Sequence, residues 1–234
     1  MLLAIQNFQQ RLYARYNSNL SLPPTYRYLH GNPVQPVVPL STKPKPVCLI
    51  GTYPPAHLGT IGPEQDVPVA NECDPFSTAP HFDGRRVRTP SNGAMLAEHY
   101  LAPLGLRRQQ CWLTYLVRVF LFKDEHLAKY RRLGCSWPEW ETHSRFESLA
   151  RQGLTWLEEE LALARPRLII TLGAEVAGVL QDVRGAEASE ALLGGQVQDL
   201  WLGESVYPVI HLAAPTPEPA HVAEARKVVS RLVG

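Results

Sequence analysis

Charge is scarce and balanced in this 234-residue chain: 19% of its residues are charged, and 23 basic against 22 acidic side chains leave a formal charge of +1. No global basic field announces a nucleic-acid partner, although a local patch would be enough to hold one. No apolar run approaches the roughly 18 residues that span a bilayer, so no membrane partner is expected. The N-terminal MLLAIQNFQQRLYARY offers only Leu2–Ile5 as an apolar patch and has no small-residue cleavage site. It does not read as a secretion signal, and a cytoplasmic location is expected. The four cysteines, Cys48, Cys73, Cys111 and Cys135, form no CxxC pair and no Cys–His knuckle. That argues against a metal site and against a disulfide framework. Cys48 and Cys111 sit in apolar runs and read as small core residues. No internal repeat or low-complexity segment is present.

What the chain does have is 45% hydrophobic residues, enough for a full core, which excludes disorder and a disulfide-held mini-protein. Residues 2–17 carry helically spaced apolar positions, and a proline-rich stretch follows from Pro23 to Pro46. VCLIG (47–51) is a short, near-continuous apolar run ended by glycine, the pattern of a buried strand. Three more runs share that look: CWLTYLV (111–117), RLIITLG (167–173) and VYPVIHL (206–212). Between and after them lie helical patterns at 92–103, 146–164, 174–181 and 218–232. Strands alternating with helices predict an α/β fold, a three-layer α/β/α domain around a four-stranded parallel sheet. A single domain over 1–234 is expected, with 1–45 forming a helix and extension packed on the core 46–234. Ligands bind such sheets beyond the carboxyl ends of the strands. The long stretches 52–91 and 119–145, which read as irregular, follow the first two strands and are the segments with length to spare for function.

Those strand ends carry the informative residues. The first strand exits into Gly51-Thr52-Tyr53-Pro54-Pro55, and the last into His211-Leu212-Ala213-Ala214-Pro215-Thr216-Pro217. With LIITLGAEVAGVL and CWLTYLVR between them, this ordered set resembles the uracil-DNA glycosylase superfamily over about residues 46–232. There the first motif is Gly-x-x-Pro after strand one and the second is His-Pro-Ser after the last strand. The Phe76-Ser77 pair resembles the Phe-Ser that follows the first motif. The resemblance implies cleavage of an N-glycosidic bond after a base is flipped from DNA, at a cost of a few kcal/mol in lost stacking and pairing. It assigns His211 as the donor to the departing base oxygen, Phe76 as the stacking shelf, and the turn after Gly51 as the pocket floor, where the N–H groups of Thr52 and Tyr53 suit a pyrimidine oxygen and Pro54 fixes the turn.

The departures from the family pattern bear on substrate. Tyr53 replaces the Asp that orients water in the uracil enzymes, and Glu72 or Asp74 could supply the missing charge. Pro55 stands where a Tyr excludes substituents on C5 of the pyrimidine. Tyr115 stands where an Asn reads the uracil edge, and one phenol cannot reproduce an amide's donor–acceptor pair. These differences point to a monofunctional glycosylase for a non-standard base, a C5-modified pyrimidine such as hydroxymethylated or glucosylated cytosine rather than plain uracil. A role in phage defence would follow. Asp66, Glu72, Asp74, Trp137 and Trp140 are the loop residues that could touch such a substituent. Uracil repair and a catalytically silent DNA-binding module are the alternatives. Arg85, Arg86 and Arg88 just before Ser91-Asn92 are expected to cradle phosphate, and Ala213, Ala214, Pro215 and Thr216 to press on the groove. DNA is the one partner implied, with no obligate protein partner and a monomer expected. No cofactor is carried over, because the cysteine pair of the family's iron–sulfur branches is missing.

Overall fold

The computed structural model describes residues 1–18, 35–82, 85–89, 91–134 and 141–234. Gly84, Cys135, Trp137, Trp140 and the first part of the proline-rich stretch lie outside the described residues.

Helix α1 (Leu2–Ser18) puts Phe8 and Leu12 against Val38, Trp156 and Leu163, while Val37 N–H donates to the Arg118 carbonyl at 2.8 Å. Strand β1 (Val47–Gly51) follows, buried at every position. The next stretch is not irregular: it folds into an antiparallel hairpin of β2 (Ala56–Ile61) and β3 (Glu64–Asn71), then a short pair, β4 (His81–Phe82) and β5 (Val87–Arg88). Helix α2 (Ser91–Leu96) runs through a π turn at Ala97–Leu101 into α3 (Ala102–Leu104), where Gly105 in the left-handed region (φ 71°) ends it. Strand β6 spans Cys111–Tyr115, two residues shorter than its apolar run. Helix α4 (Asp124–Arg132) fills part of the second stretch, and α5 (Phe146–Gln152) and α6 (Leu154–Ala164) are one pattern broken at Gly153. Then come β7 (Leu168–Leu172), α7 (Ala174–Leu180), α8 (Ala186–Glu190), β8 (Val197–Leu202), β9 (Ser205–Leu212) and α9 (Pro219–Leu232).

The central sheet has the order β6-β1-β7-β9-β8. The first four strands are the expected parallel set, and β8 adds a fifth, antiparallel edge. A two-residue turn, Gly203-Glu204 with Gly203 at φ 58°, joins β8 to β9, as hairpin geometry prefers. One face of the sheet packs Cys48, Ile50, Ile169 and Val209 under α5, α6 and α7. The other packs Leu49, Ile170, Ile210 and Leu212 under α2, α3 and α9. This is the three-layer α/β/α arrangement. Near β6, a fully buried ion pair between Arg118 and Glu160 also receives Trp112 Nε1–H at 2.7 Å, and Arg118 donates to the Tyr115 and Leu116 carbonyls.

Candidate base-binding cleft

A cleft of about 140 Å³ opens at the carboxyl ends of the parallel strands, between the β1 exit, the Phe76 turn, α2 and the loop after β9. Gly51, Thr52, Tyr53, Phe76 and Tyr115 line it, and so do Asn92, Ala214 and Pro215. Gly51 is required there: a Cβ would stand 2.8 Å from the Phe76 ring and 2.9 Å from Tyr115. Phe76 and Tyr115 face each other at 4.7 Å between ring centroids.

The Phe76 turn is held on both sides. Phe76 has a positive φ of 55°, a conformation non-glycine residues adopt only under constraint. Its N–H donates to Glu72 Oε1 and to the Tyr115 hydroxyl, each at 3.1 Å, and Ser77 N–H donates to Glu72 Oε2 at 3.1 Å. Its carbonyl accepts from Arg108 Nη1 at 2.9 Å, while Arg108 Nη2 donates to the Pro75 carbonyl at 2.8 Å and meets Asp74 at 3.2 Å. Gly93 lets α2 close on this turn, since a Cβ there would lie 2.6 Å from the Phe76 carbonyl oxygen.

Several expected assignments change. Glu72 is 1% exposed; burial raises its pKa, and its hydrogen bonds from Tyr115, Asn92, Phe76 and Ser77 oppose that. It shapes the cleft from behind rather than meeting water in it. Asp74 is tied to Arg108 and borders a separate cavity with Lys45 and Cys111. Asp66 sits exposed beyond the cleft, on the β2–β3 hairpin. Pro54 and Pro55 are not among the residues that line the cleft. Ser91 and Thr216 are exposed, and the Ala213 carbonyl accepts the Tyr100 hydroxyl at 2.7 Å. Arg85 and Arg86 are exposed and Arg88 half-buried around the β4–β5 pair, near Ser91 in sequence but not in the cleft lining.

The largest correction concerns His211. Side chains alternate across a strand, and Leu212 and Ile210 take the cleft-side face with Leu172. His211 therefore points to the opposite face, beside its register partner Thr171. It is fully buried, with Nδ1 at 2.7 Å from Thr171 Oγ1 and Nε2 at 3.2 Å from the Gln181 amide. Burial lowers its pKa to about 4. The Gln181 amide donates to Nε2, which leaves the proton on Nδ1 and a neutral ring. At the cleft itself the loop offers Ala214-Pro215-Thr216, the spacing of His-Pro-Ser with alanine first. The alanine side chain has no donor.

Tyr53, half-buried, also borders a second cavity of about 540 Å³ with Phe122, Lys123, Asp124, Thr142, His143 and Ser144. Its ring lies 5.8 Å from His143, whose Nε2 is 3.5 Å from Glu175 Oε1; burial and Glu175 raise the Tyr53 pKa. No sequence pattern signals this His143–Glu175 pair, or Arg108, because each meets its partner only when segments distant in sequence come together. Among the described residues no cluster of three metal-ligating side chains occurs, and no helix is long and apolar enough to cross a membrane.

No curated protein sequence matches the chain. The family model for the uracil DNA glycosylase superfamily matches residues 47–228, from the first residue of β1 into α9. Members of that superfamily are generally DNA glycosylases, and the glycine exit of β1, the Phe76 shelf and the cleft they frame occupy the matched span. The chain belongs to the uracil-DNA glycosylase superfamily.

Proposed function

We propose that the protein is a monofunctional DNA glycosylase that hydrolyses the N-glycosidic bond of a flipped non-standard base, a C5-substituted pyrimidine in preference to plain uracil. The observation that carries this reading is the cleft: an aromatic shelf, Phe76, fixed opposite the Gly51–Tyr53 turn at the strand ends. Stacking on such a shelf is worth about 1–3 kcal/mol per base and holds an extruded base whatever its identity. As the bond breaks, the sugar becomes oxocarbenium-like and negative charge gathers on the base. In this reading the backbone N–H groups of Thr52 and Tyr53, two residues that line the cleft, serve as the donors that receive it. The His143–Glu175 pair beside Tyr53 is the acid–base set closest in kind to what the second motif lacks here. We assign a substituent on the base to the side of Tyr53, which borders both the cleft and the second cavity; modified cytosine, as in phage DNA, and a defensive role follow from that assignment.

A second reading, a base-binding module without cleavage, is favoured by one specific observation: Ala214 lines the cleft and His211 faces away from it. Both readings are tested by incubating the protein with single-stranded and duplex DNA carrying uracil, hydroxymethylcytosine or its glucosylated form, followed by alkali. Strand breaks at one modified base support the glycosylase. Tight binding with no breaks on any member replaces it with the silent module.

A further inference from the structure

The cleft's polar wall is Asn92 and Tyr115, and their hydrogens are already committed. The Asn92 side-chain amide donates to the Tyr115 hydroxyl at 2.7 Å and to Glu72 Oε2 at 3.2 Å. An amide nitrogen has two hydrogens, so both are used. The Tyr115 hydroxyl has one proton, and it goes to Glu72 Oε1. Across the cleft, the Tyr100 hydroxyl proton is directed at the Ala213 and Pro215 carbonyls, at 2.7 and 3.0 Å.

The orientation of the Asn92 amide is not interchangeable. Turned over, its carbonyl oxygen would face a carboxylate whose two oxygens also accept the Phe76 and Ser77 N–H groups, acceptor against acceptor. The arrangement therefore fixes Oδ1 as the polar atom of Asn92 left for the cleft; among the described residues it makes no hydrogen bond. This wall takes a donor and repels an acceptor.

We infer that Asn92 reads the base edge and selects a base carrying an exocyclic amino group. The inference rests on the cleft being a base pocket and deepens that reading. The amino group of cytosine or adenine is a donor at that edge, whereas the matching position of uracil, thymine or hypoxanthine is a carbonyl oxygen. A carbonyl set against Oδ1 leaves two acceptors facing each other without a proton, the kind of unpaired contact that gives strong discrimination. Tyr115 and Glu72 act as positioning residues for this contact: they hold the amide in the one orientation that makes it an acceptor.

The test uses the full chain and duplexes with one mispaired nucleotide, which is cytosine, uracil, adenine, hypoxanthine or a tetrahydrofuran abasic analogue. A 2′-fluorine on the base-bearing target nucleotides blocks bond cleavage, so fluorescence anisotropy reads binding alone. Cytosine should bind at least tenfold tighter than uracil, and adenine at least tenfold tighter than hypoxanthine. Asn92→Leu should reduce both ratios below threefold, each affinity being taken relative to the same variant's affinity for the abasic duplex. Tyr115→Phe frees one amide hydrogen and should narrow the ratios by improving the carbonyl-bearing bases. If the wild-type protein binds uracil and hypoxanthine as well as their amino counterparts, the acceptor wall is wrong although the base pocket stands. If no base-bearing duplex binds tighter than the abasic one, the pocket reading falls, and this inference with it.

Discussion

Replacing His211 separates a structural histidine from a catalytic one. In the folded protein it is neutral, with a pKa lowered to about 4 by burial, against about 6.5 in an unfolded chain. The unfolded chain therefore binds the proton first as pH falls. Stability from this residue is full above pH 6.5 and is lost as the pH drops from there towards 4. At about 1.36 kcal/mol per pKa unit, the loss between pH 7 and pH 5 is about 2 kcal/mol. His211→Asn removes that titration. It also breaks the hydrogen bonds with Thr171 and Gln181, at a cost of about 1–3 kcal/mol at neutral pH for buried groups left unmatched. Urea unfolding at pH 7 and pH 5 should show the variant less stable at pH 7 and the gap narrowing by about 2 kcal/mol at pH 5. His57, 8% exposed and also lowered to about 4, titrates in both proteins and cancels in the difference. DNA binding per folded molecule should be unchanged. A constant gap across pH, with affinity or base release falling at full stability, would refute the placement of His211 on the far face.

Gly51→Ala should cost about 1–3 kcal/mol of stability through overpacking, because its Cβ meets Phe76 and Tyr115 at 2.8 and 2.9 Å; base binding should fall far more than binding to abasic DNA in anisotropy titrations. Replacing Arg85, Arg86 and Arg88 with Ala should weaken binding to every DNA sequence alike, and lower the slope of log affinity against log salt by about 0.9 for each phosphate no longer neutralised. An unchanged slope would remove the hairpin from the DNA face. Arg118→Met should destabilise the protein by about 3–5 kcal/mol in chemical denaturation, since it strands the buried Glu160 carboxylate, whereas Arg118→Met with Glu160→Gln should recover part of the loss.

The strand runs and the β1 exit were legible because a buried parallel strand is a short apolar run with few sequence alternatives. The same property hid the placement of His211. Val209, Ile210 and Leu212 are apolar on both faces, so β9 shows no alternation from which to read its phase. A histidine near its end then has no face assigned by the pattern. The antiparallel edge β8 was missed for the opposite reason: in VQDLWL only Leu200 and Leu202 are buried, and the Gly203-Glu204 turn is its one clear mark. Phe76 and Tyr115 were readable as cleft residues through the family resemblance, Phe76 from the Phe76-Ser77 pair and Tyr115 from its place at the end of the second strand run. The roles of Glu72, Asn92 and Arg108 were not, because a turn spanning Glu72 to Ser77, a helix start and the residues before β6 converge only in three dimensions.

Phe76 lies between two anchors, the Glu72 carboxylate on its N–H and the Arg108 guanidinium on its carbonyl. The backbone freedom of that loop, about 1–2 kcal/mol per residue, is thus given up during folding and not when DNA arrives. Base capture then needs no loop closure over the ring. The heat-capacity change of binding should reflect only the apolar surface covered, and the association rate should be limited by how often the nucleotide leaves the helix, a property of the DNA. Two duplexes that differ only in the pairing strength of the target should differ in association rate, while dissociation stays nearly constant.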